Sequence, residues 1–243
     1  MQHFFYKLIL SYDGTFYCGY QKQPQKKTVQ QTFEKALKKM THQNIPTFAA
    51  SRTDKGVHSQ GQTLHFQTTF SLKPKHFQKT LNYLLPPDIR VRQMHFATPN
   101  FHARYSAKSK IYQYVFSKKP LNAFNHHFQI FADKFDFVKI TKALKFIEGT
   151  HNFFAFTSET QPKNFSKTIF QASLKETVNK YILVFHGNGF LKYMIRFLVG
   201  SLIEIGKNKF SLEQFQAMLL GNKTKKATLL APAKALVLKK IFY

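Results

Sequence analysis

An α+β fold with largely antiparallel sheets is predicted by three features of this 243-residue chain. Strand-like and amphipathic helical segments follow one another in the order β-α-β-β-α-β, and that order occurs twice. The helical segments carry start and stop signals, including Thr-x-x-Gln and Ser-x-x-Gln boxes. One pair of strand segments is joined by a short turn and forms a hairpin. The two halves are assigned to residues 1–103 and 104–243, with the split between 98 and 109.

In the first half, Phe4 to Tyr12 is rich in aromatic and branched residues and stops at Asp13-Gly14, as a strand does. Thr28-Val-Gln-Gln31 is a capping box that opens a helix to about Met40, with Val29, Phe33, Ala36, Leu37 and Met40 along one stripe. Residues 45–50 form a short strand. After a polar, glycine-containing loop, Gln62 to Thr68 alternates as a strand. Pro74 to Leu85 is a helix stopped by Pro86-Pro87, and Ile89 to Ala97 is a strand of period 2.

The second half opens with a strand from Lys110 to Phe116. Asp136 caps a helix to Glu148, with Gly149 just past its end. Lys167–Glu176 and Lys180–His186 make the hairpin, through Val178-Asn179. Phe190 to Ile205 is a strongly apolar helix followed by Gly206. Ser211-Leu-Glu-Gln214 opens an extra helix to about Leu220, and Ala235–Phe242 is the last strand. Two such units suggest ferredoxin-like halves, each sheet with one face under helices and one face free.

Charge narrows the partner. Lysine plus arginine number 37 and aspartate plus glutamate 11, a formal charge of +26. At 43% hydrophobic and 16% aromatic residues the chain is too apolar for a disordered basic tail. The cations are spread along its whole length, so a folded surface presents them to a polyanion, with nucleic acid ahead of an anionic membrane. No basic amphipathic helix with an exposed apolar face favours the membrane. The single cysteine, Cys18, excludes an intrachain disulfide and a cysteine metal cluster. The N-terminus lacks a signal-peptide pattern, and no window approaches the roughly 18 apolar residues of a membrane span. A cytoplasmic protein is expected.

Most of the 11 carboxylates have structural explanations. Glu34 is placed to pair with Lys38, Asp136 is a cap, and Asp13 lies in a turn. Asp54 has the most unusual setting, Ser51-Arg-Thr-Asp-Lys-Gly-Val-His58, a loop after a strand with Arg52 two residues away. A tight turn explains the Asp-Lys-Gly by itself. A polar loop on a rigid scaffold is also how catalytic groups are presented. Only five cations are arginines: Arg52, Arg90, Arg92, Arg104 and Arg196. Arg196 stands in an otherwise apolar helix, where a guanidinium pairs with a carboxylate or snorkels to water. Tyr112 and Tyr114 point to one face of their strand, either as base-stacking rings or as core tyrosines with a wet tip. The 11 histidines show no metal spacing, and no phosphate loop or dinucleotide fingerprint occurs, so neither a metal nor a nucleotide cofactor is expected.

Five segments, in order, resemble the motifs of the tRNA pseudouridine synthase A (TruA) family. Tyr12-Asp-Gly-Thr-Phe-Tyr-Cys-Gly-Tyr-Gln-Lys-Gln23 resembles YDGxxFxGWQxQ, and Ser51–His58 with Gln62 resembles GRTDxGVHxxxQ. Phe101-His-Ala-Arg104 with Tyr112-Gln-Tyr114 resembles FHARxSAxxxxYxY. Gly189-Phe-Leu191 with Met194-Ile-Arg196 resembles GFLxxMVR, and Ala231-Pro-Ala233 resembles APAxGL. The departures are Tyr20 for Trp, Ser51 for Gly, Asn152 for an Asp and Ala235 for a Gly.

The resemblance implies two halves whose sheets meet at a central RNA-binding cleft. It implies an isomerase that turns uridine at positions 38 to 40 of the tRNA anticodon arm into pseudouridine, without a cofactor, as a homodimer. On the matching positions Asp54 is the essential carboxylate, acting on C1′ or on a sugar proton. Arg196 pairs with it, Arg52 helps extrude the nucleotide, and Tyr112 stacks on the flipped base. A non-catalytic basic RNA-binding protein is the alternative, and Asp54 beside Arg52 is the feature that separates the two.

Overall fold

The computed structural model describes residues 2–160, 164–221 and 226–243. Two compact units account for them, Met1–Lys108 with Val237–Tyr243, and Ser109–Leu236. In chain order the elements are β1 (Phe4–Tyr12), α1 (Val29–Thr41), β2 (Phe48–Ala49), β3 (His58–Thr68), α2 (Pro74–Leu84), β4 (Ile89–Phe96), β5 (Ser109–Ser117), β6 (Ile130–Phe131) and α3 (Phe137–Ile147). There follow β7 (Gly149–Asn152), a 3-10 turn (Phe153–Phe156), β8 (Ser166–Glu176), β9 (Lys180–Gly187), α4 (Met194–Gly206) and α5 (Leu212–Leu219). A second 3-10 turn (Ala233–Ala235) leads into β10 (Leu236–Phe242). The fold is α+β and mostly antiparallel.

In the first unit the strands run β4-β1-β3-β10. β1 pairs antiparallel with β3 and β4. On the other edge of β3, β2 pairs with its middle and β10 runs parallel to its first residues. Alternation along β1 sends Tyr6, Leu8 and Leu10 inward against α1 (Val29, Phe33, Leu37) and α2 (Phe77, Leu81). Helix α1 starts as its sequence signal requires, with the Thr28 hydroxyl accepting from the Gln31 N–H at 3.3 Å. Pro74 opens α2, where a missing N–H costs nothing. Glu34 does not take Lys38. It accepts from the Thr47 N–H and hydroxyl and lies 3.4 Å from Lys22.

Two further expectations about this unit are corrected. β3 begins at His58, four residues before Gln62. His58 and Ser59 pair with Val237 and Leu238 of β10, and Gly61 passes so close that a Cβ there would lie 2.4 Å from the Lys239 carbonyl oxygen. A polar, glycine-containing stretch hides a strand whose partner is nearly 180 residues away in sequence. Nor is the second sheet face free. The Lys7 ammonium lies 4.5 Å and 3.9 Å from the ring centroids of Phe101 and Tyr243. Tyr243 in turn donates to the Ala103 carbonyl at 2.8 Å.

The second unit carries the order β5-β9-β8-β7, antiparallel throughout, with β6 parallel to β5. Helices α3, α4 and α5 pack with the first 3-10 turn, where Phe156 meets Phe215 edge-on at 5.6 Å. Ten of the 13 residues of α4 are buried, which explains a sequence apolar on every side. Asp136 and Ser211 cap α3 and α5 as expected, Ser211 in a complete capping box. Helix α4 starts at Met194 instead of Phe190, because Tyr193 takes a left-handed backbone (φ 62°) that no helix can continue through. Gly206 is its last residue. β6, β7 and both 3-10 turns escaped the periodicity because they are two to four residues long. The last strand, read as the close of the second half, pairs with β3 of the first unit.

Candidate active site

Residues 50–57 leave the sheet between β2 and β3 and carry Asp54 at their outer end. Asp54 is half-buried, Arg52 and Lys55 are exposed, and Ser51 and Thr53 are buried. The Val57 N–H donates to the Asp54 carbonyl at 3.1 Å, closing a turn whose third residue, Gly56, has φ +78°. The tight-turn reading of Asp-Lys-Gly therefore holds. What distinguishes this turn is how it is anchored.

The anchors come from the Tyr12–Tyr20 segment and from β3. The Tyr12 and Thr53 hydroxyls are hydrogen-bonded at 2.7 Å, and the Tyr20 N–H donates to the Thr53 carbonyl at 3.0 Å. Gly19, at φ +86°, lies so close that a Cβ would be 2.8 Å from the Thr53 carbonyl oxygen. The Gln62 side chain, fully buried, bonds both main-chain groups of Ser51. His58, 3% exposed, has Nδ1 3.1 Å from the Gly14 N–H and 3.0 Å from an Asp13 carboxylate oxygen. Asp13 also accepts from the N–H and hydroxyl of Thr15. The two motif segments that flank Asp54 in the sequence pattern are thus one packed frame around its turn.

Ser51, where the family pattern has Gly, stays outside the left-handed region and needs no glycine. Tyr20, in place of Trp, is fully buried with its ring 6.2 Å from that of Tyr12.

The other two sequence-selected residues lie in the second unit. Tyr112, on β5 opposite Phe185 of β9, is 8% exposed and meets the Phe190 ring edge-on at 5.2 Å. Its neighbour on the same face, Tyr114, is fully buried and donates to the Pro232 carbonyl at 2.9 Å. Burial pushes the Tyr114 phenol far up, with Arg196 opposing the shift. Tyr114 is therefore a core tyrosine.

Arg196 sits half-buried in the first turn of α4. Its Nε donates to the Ala231 carbonyl at 2.8 Å, the Ala231 N–H donates back to the Arg196 carbonyl at 3.1 Å, and its guanidinium carbon lies 5.3 Å from the Tyr193 ring centroid. The Ala231-Pro-Ala233 motif therefore works locally as a strap, docked on Arg196 and Tyr114. The remaining arginines divide differently. Arg90 donates to three carbonyls around Pro86 and Arg92 to the Gln60 carbonyl, whereas Arg104 is exposed beside Tyr105.

The sequence pattern assigns no role to Tyr12, Gln62 or Phe190 and reads His58 only as structural or RNA-facing. All four stand inside the quoted motifs, and that membership was the only signal available for them.

A family model described as tRNA pseudouridine synthase matches residues 8–106 and 143–243. Arg52 and Asp54 lie in the first matched span and Arg196 in the second, while Tyr112 lies between them. The chain is 94% identical over 243 residues to the tRNA pseudouridine synthase A of Onion yellows phytoplasma (strain OY-M), covering both chains entirely. It is 54% identical over 244 residues to that of Phytoplasma mali (strain AT), again over the whole of both. It is 38% identical over 240 residues to that of Exiguobacterium sibiricum, with 98% of this chain and 96% of the relative covered.

Proposed function

The chain belongs to the tRNA pseudouridine synthase A family, and from that premise we propose that it isomerises uridine at positions 38 to 40 of the tRNA anticodon arm, with Asp54 as the essential carboxylate. The N1–C1′ bond breaks, the uracil turns, and C5 bonds to C1′. The proton leaves C5 and N1 regains one, so substrate and product have the same atoms and no co-reactant is consumed. A carboxylate serves this reaction in one of two ways, attacking C1′ as a nucleophile or taking a proton from the sugar. Both need it ionised and held still.

The observation that carries the reading is the anchoring of the Asp54 turn. A half-buried carboxylate is presented on a loop that its own unit fixes at Ser51 and Thr53, with the Val57 N–H closing the turn on the Asp54 carbonyl. Arg52, exposed two residues away, suits a backbone phosphate or an extruding nucleotide. Tyr112 supplies the stacking face and Arg196 a further substrate-binding group. The +26 charge supports recognition of the arm through its phosphates. The enzyme works in the cytoplasm as a homodimer. Among the described residues no helix is long and apolar enough to cross a membrane.

The test uses tRNA with tritium at uridine C5. Release accompanies each turnover, and Asp54→Asn abolishes it while tRNA is still bound. Normal release by Asp54→Asn would reject the assignment. Arg52→Gln weakens tRNA binding and lowers its salt dependence by about one phosphate contact.

A further inference from the structure

β2 and β3 pair in the ordinary way up to a definite residue. Phe48 faces His65, Ala49 faces Leu64, and the Ala50 N–H donates to the Thr63 carbonyl at 2.9 Å. Ser51 comes next, opposite Gln62, at a non-hydrogen-bonded position of the antiparallel ladder, where the two main chains exchange no bond. The Gln62 side chain supplies a rung of its own there. Its Oε1 accepts from the Ser51 N–H at 3.1 Å and its Nε2 donates to the Ser51 carbonyl at 2.6 Å. The residue itself stays in β3, opposite Leu10 of β1.

A side-chain rung is longer than a main-chain one. It satisfies both polar groups of Ser51 while holding that residue away from the strand, and the chain departs from the sheet three residues before Asp54. We propose that Gln62 is a positioning residue for the isomerisation, its carboxamide setting the point from which the Asp54 turn is aimed. This rests on the reading of Asp54 as the essential carboxylate.

Only a carboxamide of this length offers one acceptor and one donor in a fixed plane to a single residue's N–H and C=O. Gln62 is fully buried, so water does not substitute for either bond. Thr53 is gripped separately by Tyr12 and Tyr20. Losing the Ser51 rung therefore leaves the far end of the loop attached and frees the near end, which displaces the turn without detaching it. A displacement of about 1 Å in a reacting group costs on the order of 10²-fold in rate.

The experiment compares full-length Gln62→Met, Gln62→Leu and Asp54→Asn in C5 tritium release, with bound tRNA per chain measured on the same samples. Gln62→Met keeps the length and apolar bulk and removes both bonds. Its kcat is expected to fall about 10²-fold, with KM for tRNA and the binding stoichiometry within about threefold of the parent. Gln62→Leu removes both bonds with a stiffer side chain of similar bulk, and is expected to fall as far. It decides the question if Gln62→Met does not fold.

A normal kcat in either folded variant overturns the proposal, as does a loss confined to KM or to the fraction of chains that bind tRNA. An active Asp54→Asn would overturn the reading of the site itself. An inactive Asp54→Asn beside fully active Gln62 variants would overturn only the positioning role.

Discussion

The Asp54 loop and the start of α4 each present a charged side chain, and they are built by opposite means. Residues 50–57 have no regular structure, and buried polar side chains hold them: Gln62 on Ser51, the Tyr12 hydroxyl on Thr53, and His58 against Asp13 and Gly14. Arg196 rides on a helix that is buried on most sides. The strap beside it is fixed by two carbonyls, Ala231 accepting from Arg196 and Pro232 from Tyr114. The difference follows from the chemistry of the groups. A loop beside a sheet leaves main-chain donors and acceptors that must be satisfied, so its scaffold is polar. A guanidinium has a long apolar stem and five donors, so it tolerates an apolar helix and finds carbonyls by itself.

Both regions rely on a glycine pressed against a carbonyl, and the pair gives the largest effects. A Cβ on Gly14 would lie 2.0 Å from the Val57 oxygen, and one on Gly200 would lie 1.8 Å from the Leu229 oxygen. Neither carbonyl can rotate away as a side chain would. Gly14→Ala and Gly200→Ala should each lower stability by about 1–3 kcal/mol as overpacked sites. Gly200→Ala regains up to about 1 kcal/mol from helix propensity. Their functional signatures should differ. Gly14→Ala shifts Val57 and with it the Asp54 turn, so kcat falls about 10²-fold. Gly200→Ala lifts the strap from Arg196, so tRNA binding weakens about tenfold, the worth of one hydrogen bond to a charged group. Denaturant unfolding and steady-state kinetics on both variants check this. The reverse pattern, binding lost in Gly14→Ala and kcat lost in Gly200→Ala, would break the comparison.

The same contrast explains what was legible in the sequence. Helices α1, α2 and α3 and strands β1, β4, β5, β8 and β9 declare themselves through periodicity and caps, because each buries one face against its own neighbours. Asp54, with Arg52 beside it, and Arg196 stood out as residue types in unusual settings, whereas Tyr112 was set apart from Tyr114 only by the resemblance to the family. The scaffold around Asp54 did not stand out. Gln62 and His58 are polar residues that satisfy main-chain groups 11 and 44 residues away along the chain, and no local pattern encodes such a bond. The true start of α4 was hidden because Tyr193 is a non-glycine residue in a left-handed backbone, held by tertiary packing against its own preference. β10 looked like the end of the second half, since its parallel partner in β3 is visible only in three dimensions.

A smaller test sharpens the apolar side of the comparison. Phe190→Ala removes the ring edge that meets Tyr112. Such a pair is worth about 0.5–1.5 kcal/mol beyond the apolar area it buries, so the loss of stability should exceed that range by the area term of a half-buried ring, about 1–2 kcal/mol. If Tyr112 stacks on the flipped base, the same change weakens turnover several-fold, whereas Tyr114→Phe, which leaves the ring in the core, costs only the hydrogen bond to Pro232, about 1 kcal/mol of stability. Equal kinetic losses in the two variants would show that Tyr112 has no role that Tyr114 lacks.

The smallest expected effect concerns acid. In the first unit it falls on a histidine, because carboxamide and hydroxyl latches do not titrate in this range. On its second sheet face His65 Nδ1 accepts from the Ala103 N–H at 3.1 Å, and its ring lies 4.7 Å from that of His102, which accepts from the Arg104 and Tyr105 N–H groups. Burial first, and His102 second, hold the His65 pKa below its ordinary value, with a bond to the Phe48 main chain opposing them. The folded chain therefore binds this proton less readily than the unfolded chain. The contribution to stability is complete above the ordinary histidine pKa of about 6.5 and is lost as pH falls through the folded value. Lys7 on the same face is also lowered by burial, but from a lysine value far above this window. His65→Asn retains an acceptor for the Ala103 N–H and cannot be protonated in this range, so the fall of its unfolding midpoint from neutral to mildly acid pH should be shallower than that of the parent. An unchanged slope would place the acid sensitivity elsewhere.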